Sequence, residues 1–434
     1  MVCAHGRSRA HFTLPLLSSW AYCLAVIRPT PTTALPLVRW HRSLFITGAA
    51  LALLVPLVHA YLLMPFPGSQ DLETIHLAYH LEKALVPLLI LGGLLLALPV
   101  AQTVLHGTRG RRILLGVLAI TALIVAYTTA WAFSAERMFR EPVTPIYAGK
   151  DRSGIPLDAV VLGVAHAGEA RAYPVDLIGY HHKVLDAVGG RPVLVTYCTM
   201  CRTGRVYSPV VDGVPQRFRL VGARHYNAVF EDEQTGTWWY QASGRAAVGP
   251  RSGRQLDAIV HEQTTLRAWM AAHPETTVLQ PDPAFASDYA DTAGYDRRRP
   301  PSPEGADARW SRRSWIVGLV VGDTAKAYPW DDLVSRRAIG DTVGEAPILV
   351  TVEEDSMSFH AFRRDIDGET LAFSAEADGK AMTDVKTGSR WSFRGECFSG
   401  KFAGRKLTPV QAHQEYWHSW KTFHPGTATW IAAL

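Results

Sequence analysis

Cys198 and Cys201 carry the most reactive pair of side chains in this sequence, and they form its only C-x-x-C. Residues 193–207 read V-L-V-T-Y-C-T-M-C-R-T-G-R-V-Y, an apolar run with the pattern of a buried strand that delivers both sulfurs into a turn. Thiols at this spacing can close a small disulfide ring, and the attacking member must be a thiolate, so nearby cations matter. Arg202 and Arg205 follow directly, and His181 and His225 could be folded against the pair. Cys198, at the strand end, is the expected attacking sulfur, with Cys201 resolving the mixed disulfide. A helix directly after C-x-x-C would point to a thioredoxin-like site. Here T-G-R-V-Y reads as turn and then strand, which argues against that fold.

The same atoms support other chemistry. Two thiolates with two imidazoles make an ordinary zinc site, and soft sulfur also suits copper(I). That reading takes Cys198, Cys201, His181 and His225 as ligands, with His182 a further candidate nitrogen. No second C-x-x-C or close H-x-x-x-H completes such a site locally, so folding would have to assemble it. A third reading is a structural disulfide in an interaction domain. Tyr226 and Asn227 either line the thiol site or make a turn.

The chain around these residues largely repeats itself, and the second copy lacks the cysteines: residues 348–362 read I-L-V-T-V-E-E-D-S-M-S-F-H-A-F. A-Y-P-V-D-L from Ala172 answers A-Y-P-W-D-D-L from Ala327, and D-E-Q-T-G-T-W-W from Asp232 answers D-V-K-T-G-S-R-W from Asp384. Near the ends, L-R-A-W-M-A-A-H-P answers Y-W-H-S-W-K-T-F-H-P. Agreement in order and spacing marks an internal repeat. Each copy reads as short strands, 206–211 and 217–221 among them, and one closing helix, best seen over 264–272 with Thr264 or Thr265 as cap. The expected body is α+β, mostly antiparallel and β-rich: repeat one over 145–281, a linker loop over 282–314 anchored by Tyr289 and Tyr295, and repeat two over 315–434. Residues that recur in both copies read as structural: His273 and His424 as helix ends, Asp232 and Asp384 as turn residues, Trp239 and Trp391 as core. Glu353, Glu354 and Asp355 read as an acidic loop in place of the cysteines.

These phrases together resemble the uncharacterised family called domain of unknown function 3179. The likeness runs from about Ile146 to the end and rests on A-Y-P, V-T-Y-C-x-x-C, Y-N, D-x-x-T-G-x-x-W, G-x-x-x-x-G and the final H-P-G-T. The family's aromatic-His pair falls on Tyr180 and His181. Some relatives are described as selenoproteins, so the resemblance implies redox chemistry more than a structural metal. The chain departs from the pattern at Thr199 and Met200, where look-alikes commonly have Pro-Leu, and at Cys397, where a small apolar residue is usual.

What precedes this body reads as membrane. Residues 44–64, 85–105 and 113–133 are each apolar enough for a spanning helix, which needs about 20 residues. The expected three-helix anchor covers 39–134. The bland alternative is a set of buried helices in a soluble protein, but three such runs carry almost no charge. Arg39 and Arg42 precede the first span, Asp71 and Glu73 lie in the loop 65–80, and Arg109, Arg111 and Arg112 follow the second span. The positive-inside rule then places everything after Ser134 on the extracytoplasmic side of the cytoplasmic membrane. His76, His80 and Glu82 lie near the second span and could add a function to the anchor. Residues 1–38, with Cys3 and Cys23, read as a poor signal-like or partly inserted segment.

Charge sets the remaining bounds. Residues 1–134 hold 9 Lys and Arg against 3 Asp and Glu, leaving 35 and 36 for the rest. The overall +5 therefore belongs to residues 1–134, and no nucleic-acid partner is expected. Expected partners are membrane lipid and an unidentified redox or metal partner. No nucleotide-binding glycine loop or hydrolase elbow is present.

Overall fold

The computed structural model describes residues 36–298 and 310–432. The expectations for residues 1–35, for Cys3 and Cys23 among them, and for the Pro-rich stretch of the linker lie outside the described residues.

Three helices at the start are long and apolar enough to cross a membrane. They are α1 (Pro36–Leu63), α2 (Ile75–His106) and α3 (Arg109–Tyr127), the last continued by a π-helical turn, Thr128–Ala132. The apolar side chains of α3, including Ile113, Val117, Ile120 and Leu123, are exposed, as lipid contact requires. Helices α1 and α2 approach closely at Gly48, where a Cβ would sit 2.7 Å from Leu96 and 2.9 Å from the Gly92 carbonyl.

The second helix starts ten residues before the expected span. Its first turns leave the apolar segment and dock on the β-rich part, where Ile75 and Ala78 are buried with Val221, Val229 and Trp238. Glu82 and Lys83 do not interrupt the helix because they pair with Arg219 (2.8 Å) and Glu231 (2.7 Å) of that part. The turn between α1 and α2 is fastened the same way. Buried Arg224 donates to the carbonyls of Leu62 and Ser69, both at 3.0 Å, and of Leu72.

A short helix, α4 (Ala135–Met138), leads into a mostly antiparallel β-rich body. Its first sheet runs Ile146–Gly149, Thr277–Gln280, Glu169–Pro174, Val160–His166, Glu262–Thr265, with one parallel pair between the second and third strands. The strand ending at Pro174 runs into α5 (Val175–His181), and the sheet is closed by α6 (Leu266–Ala272), capped by Thr265 on Ala268 N at 3.3 Å. The linker holds α7 (Tyr289–Thr292) and two 3-10 turns rather than an extended loop over its described part.

The same order follows again. Strands Trp315–Val321 and Thr324–Pro329, α8 (Trp330–Arg336), then Ala412–Tyr416, α9 (Trp417–Phe423) and Ala428–Thr429 form a sheet whose last strand is again parallel to the hairpin's second. Small details recur with it. Trp269 packs on Gly163 and Trp420 on Gly318, each leaving no room for a Cβ. Each tryptophan also stacks on the histidine after its helix, His273 or His424, at 4.0 Å. The histidines do sit at the helix ends, but their rings pack on indole and do not cap carbonyls.

Candidate functional site

The strand Arg191–Cys198 is buried from Val193 on and pairs on both sides, with Lys183–Val188 and with Thr203–Tyr207. The C-x-x-C is therefore the turn of a central hairpin, followed by strand as the sequence indicates. Pro209 ends the next run early, so 206–211 is two strands. Both sulfurs are inaccessible to solvent, unbonded to each other, and 3.2 Å apart. Thr199 and Met200, at the tip, are only partly buried.

Both thiols reach the Tyr226 carbonyl, but unequally, Cys198 only at 3.6 Å. Cys201 donates to the Tyr226 carbonyl at 2.9 Å and receives the Asn227 side-chain amide at 3.1 Å. Burial pushes its pKa well up, and the neighbouring Cys198 sulfur adds to the effect. Burial also opposes the Cys198 thiolate, but the Cys201 thiol and the backbone N–H groups of Ala228, Cys201 and Met200 outweigh it and hold its pKa below the ordinary value. Cys198 is thus the member that ionises first.

A strained hairpin supplies the Tyr226 carbonyl. His225 and Tyr226 link the strands Phe218–Arg224 and Asn227–Asp232, with φ of 52° and 59°. Positive φ at two successive non-glycine residues is costly and persists only where surroundings enforce it. Here the Tyr226 N–H is held by Gln70 of the α1–α2 turn (3.2 Å). Asn227 is fixed through Gln241 (3.2 Å) and Ala242 N (3.1 Å). Gln241 in turn donates to Thr196 Oγ1 and Thr203 O, and Thr203 Oγ1 donates to Glu415 at 3.1 Å. A run of buried polar side chains thus leads from Cys201 to the second half of the body.

The fold takes the other sequence candidates elsewhere. His181 places its ring nitrogens against the Arg140 carbonyl (2.5 Å) and the Tyr289 hydroxyl (2.7 Å). His182 packs on Phe139, and His225 turns toward Glu73 at 3.5 Å. Arg202 lies 3.6 Å over the Trp315 indole and donates to the carbonyls of Tyr295 (3.1 Å) and Asp296, so its charge serves the linker. Arg205 pairs with buried Glu415 at 2.5 Å. The expected set of Cys198, Cys201, His181 and His225 is not assembled. Among the described residues no group of three or more His, Cys, Asp or Glu side chains is placed to hold a metal ion. Cys397 is buried in a separate core cluster around Trp391, where it fills space.

Three contributors escape a reading of the sequence. His418 meets the Met200 carbonyl at 3.1 Å and lies edge-on to Tyr226; burial pushes its pKa down to about 4. Ser419 is fully buried, and its hydroxyl finds no hydrogen-bond partner among the described residues. Gln70 comes from the turn between two apolar helices. Counted back from Trp420 and Trp269, His418 and Ser419 stand where the first half has Arg267 and Ala268. That difference is visible only to a reader who expects one half to complete the other's site.

Asp232 and Asp384 hold their turns alike. Each accepts from the backbone N–H and hydroxyl of a Thr three residues on, and from the indole of Trp239 or Trp391. The motif D-x-x-T-G-x-x-W is therefore a structural staple. No curated protein and no solved structure matches the chain. A family model described as "Protein of unknown function (DUF3179)" matches residues 144–427, the whole body that carries these features, and the chain belongs to that family.

Proposed function

We propose that the chain is a membrane-anchored thiol-redox protein, with Cys198 and Cys201 as its working pair on the extracytoplasmic side of the cytoplasmic membrane. The inequality of two touching thiols carries this reading. Cys198 ionises first and faces backbone donors, while Cys201 keeps its proton against a carbonyl. Closing an S–S bond of about 2.05 Å asks the sulfurs to approach by roughly 1 Å. The Cys198 thiolate attacks a substrate disulfide, and one substrate sulfur leaves as a thiolate. Cys201 then loses its proton and attacks Cys198, releasing the second substrate sulfur and leaving the pair oxidised.

Two further observations support the reading. Backbone strain at His225 and Tyr226 sits directly on the sulfurs, where functional sites concentrate it. The turn between α1 and α2, which docks on the β-rich body, carries Asp71 and Glu73, while Arg109, Arg111 and Arg112 lie at the far end of the helices. The positive-inside rule assigns that far end to the cytoplasm. The matched order of sheets and helices is read as a duplication that kept its chemistry in one copy.

The test is thiol trapping of the full chain in detergent, in dithiothreitol and glutathione buffers of defined potential, read by mass shift. Reversible cycling of Cys198 and Cys201 together is expected. Sulfurs inert to both oxidant and reductant in the folded protein would sink the reading. Stoichiometric zinc or copper lost on the double change to Ser would replace it with metal binding.

A further inference from the structure

A cavity of about 660 Å³ lies where the outer ends of the helices meet the β-rich body. Such a volume suits a small organic ligand. Its lining is amphipathic: Leu63, Leu85 and Trp131 on one part, His59, Glu82 and Arg219 on another. His59 is nine-tenths buried, and its Nε2 is hydrogen-bonded to Glu82. Its Nδ1 finds no hydrogen-bond partner among the described residues. A buried ring nitrogen left unpaired costs free energy unless a ligand satisfies it.

The charges indicate what kind of ligand fits. Arg219 is neutralised by Glu82 (2.8 Å) and Glu231 (2.9 Å), and Arg140 faces Asp288 (3.4 Å). These guanidinium groups are engaged within the protein, and Arg137, also in the lining, lies 3.4 Å over the Trp131 ring. With the carboxylates of Glu82 and Glu136 on the same lining, the site favours an uncharged ligand with a hydrogen-bonding oxygen over a phosphate. The cavity shares lining residues with the cluster around the sulfurs. Ala135 and Leu220 line it and also belong to the packed cluster that contains Cys198 and Cys201. Ala135 opens the four-residue helix α4, and partly exposed Phe139 and Met200 pack on the same cluster.

We infer that this cavity receives the head of a lipid-soluble quinone and that the quinone takes electrons from the Cys198–Cys201 pair. The inference rests on the thiol-redox reading, with the exchange run in the reverse sense: a substrate dithiol reduces the Cys198–Cys201 disulfide and is itself left as a disulfide, and the quinone then reoxidises the pair. The balance is complete: two S–H bonds break, one S–S bond forms, and the ring accepts two electrons and two protons to become the quinol. The Cys198 sulfur reaches the ring when α4 gives way, and Cys201 then attacks Cys198. The His59–Glu82 pair relays protons to the ring oxygen that His59 Nδ1 meets. The bilayer supplies the ligand, since the cavity borders exposed Val86 and Phe133 on the apolar helices.

The experiment mixes the reduced full chain in detergent with decylubiquinone without oxygen, following quinone loss and thiol mass together. One quinol per oxidised pair is expected. Glu82→Gln is expected to slow this reaction by about 10²-fold, the usual size of a lost proton-transfer group. Ala60→Trp, which puts an indole into the cavity and removes no charged side chain, is expected to do the same. Ala60→Trp should still be oxidised by glutathione disulfide at the unaltered rate. If glutathione disulfide oxidises the pair but decylubiquinone does not, or if Ala60→Trp reacts with quinone at full speed, the inference is overturned and the thiol reading stands. If neither oxidant acts on the unaltered chain, both fall.

Discussion

Replacing Asn227 by Ala separates a residue that tunes the thiols from one that merely packs beside them. The side chain donates to Cys201 Sγ at 3.1 Å and to Gln241 Oε1 at 3.2 Å, and accepts from Ala242 N at 3.1 Å. Removal orphans one buried donor and one buried acceptor, costing about 2–4 kcal/mol of stability once a water takes up part of the loss. It also removes a hydrogen bond from the dithiol state worth about 0.5–1.5 kcal/mol. For a two-electron couple about 30 mV corresponds to 1.4 kcal/mol, so the reduced form loses roughly 10–30 mV of relative stability. The sign is fixed: reduction becomes less favourable and the midpoint potential falls. Trapping in graded glutathione buffers reads the potential, and urea unfolding reads the stability. A potential that is unchanged or raised, alongside the stability loss, would refute the argument that the Asn227 amide acts on the sulfur.

Further outcomes follow from the same geometry. In a background lacking Cys3, Cys23 and Cys397, Cys201→Ser, whose hydroxyl can still donate to Cys198, should leave a thiol whose ultraviolet thiolate titration falls below the free-cysteine value of about 8.5, and Cys198→Ser one that burial holds above it. His182 and His261 are buried and pushed down to about 4, so the native state binds their protons only at lower pH than the unfolded chain does. Their contribution is therefore complete above about pH 6.5 and is lost as pH falls toward about 4, by up to about 3 kcal/mol for each imidazole, in unfolding curves across that window. Asp232→Ala and Asp384→Ala should each cost about 2–4 kcal/mol in urea unfolding, Asp232→Ala the more because it also strips the Arg251 guanidinium of its carboxylate at 3.1 Å, while Asp384→Ala leaves the thiol potential where it was. Gly163→Ala and Gly318→Ala each drive a methyl into an indole and should lower stability by about 1–3 kcal/mol in the same assay.

Periodicity and turn chemistry carry far in this chain because they are local. Apolar length finds the helices, Thr265 and the flanking Pro274 bound α6, and Asp232 with its Thr and Trp partners announces a turn. The start of α2 is hidden because Glu82 and Lys83 look like the edge of a span in sequence, and only the docked body shows their partners. The same limit hides the real surroundings of the sulfurs. Arg202 and His181 sit close in sequence and are natural candidates, yet Trp315 and Tyr289, far along the chain, claim them. Gln70, His418 and Ser419 come from 131, 217 and 218 positions away from Cys201, and no spacing rule connects them to it.

The two halves grip each other at matching places, and the grip explains why a redox change at one loop would be felt elsewhere. In the second half, Ser358 Oγ accepts from Thr265 N at 2.9 Å and Asp355 accepts from the Thr265 hydroxyl at 2.8 Å, so the acidic loop holds the residue that caps α6. In the first half, the Cys201 carbonyl accepts from Tyr416 N at 2.8 Å and the Met200 carbonyl meets His418, so the C-x-x-C turn holds the start of α9. One loop grips with a carboxylate and hydroxyls whose state is constant at neutral pH. The other grips with the main chain of two residues between and at the reactive sulfurs. Closing a disulfide there brings the sulfurs about 1 Å nearer, and with the strand behind Cys198 paired on both sides, any main-chain adjustment falls on the turn. The movement falls on Met200 and Cys201, and through their carbonyls on α9. The acidic loop lacks this lever: under the proposed thiol chemistry only the C-x-x-C turn changes state, and the loop around Asp355 and Ser358 stays a fixed clasp.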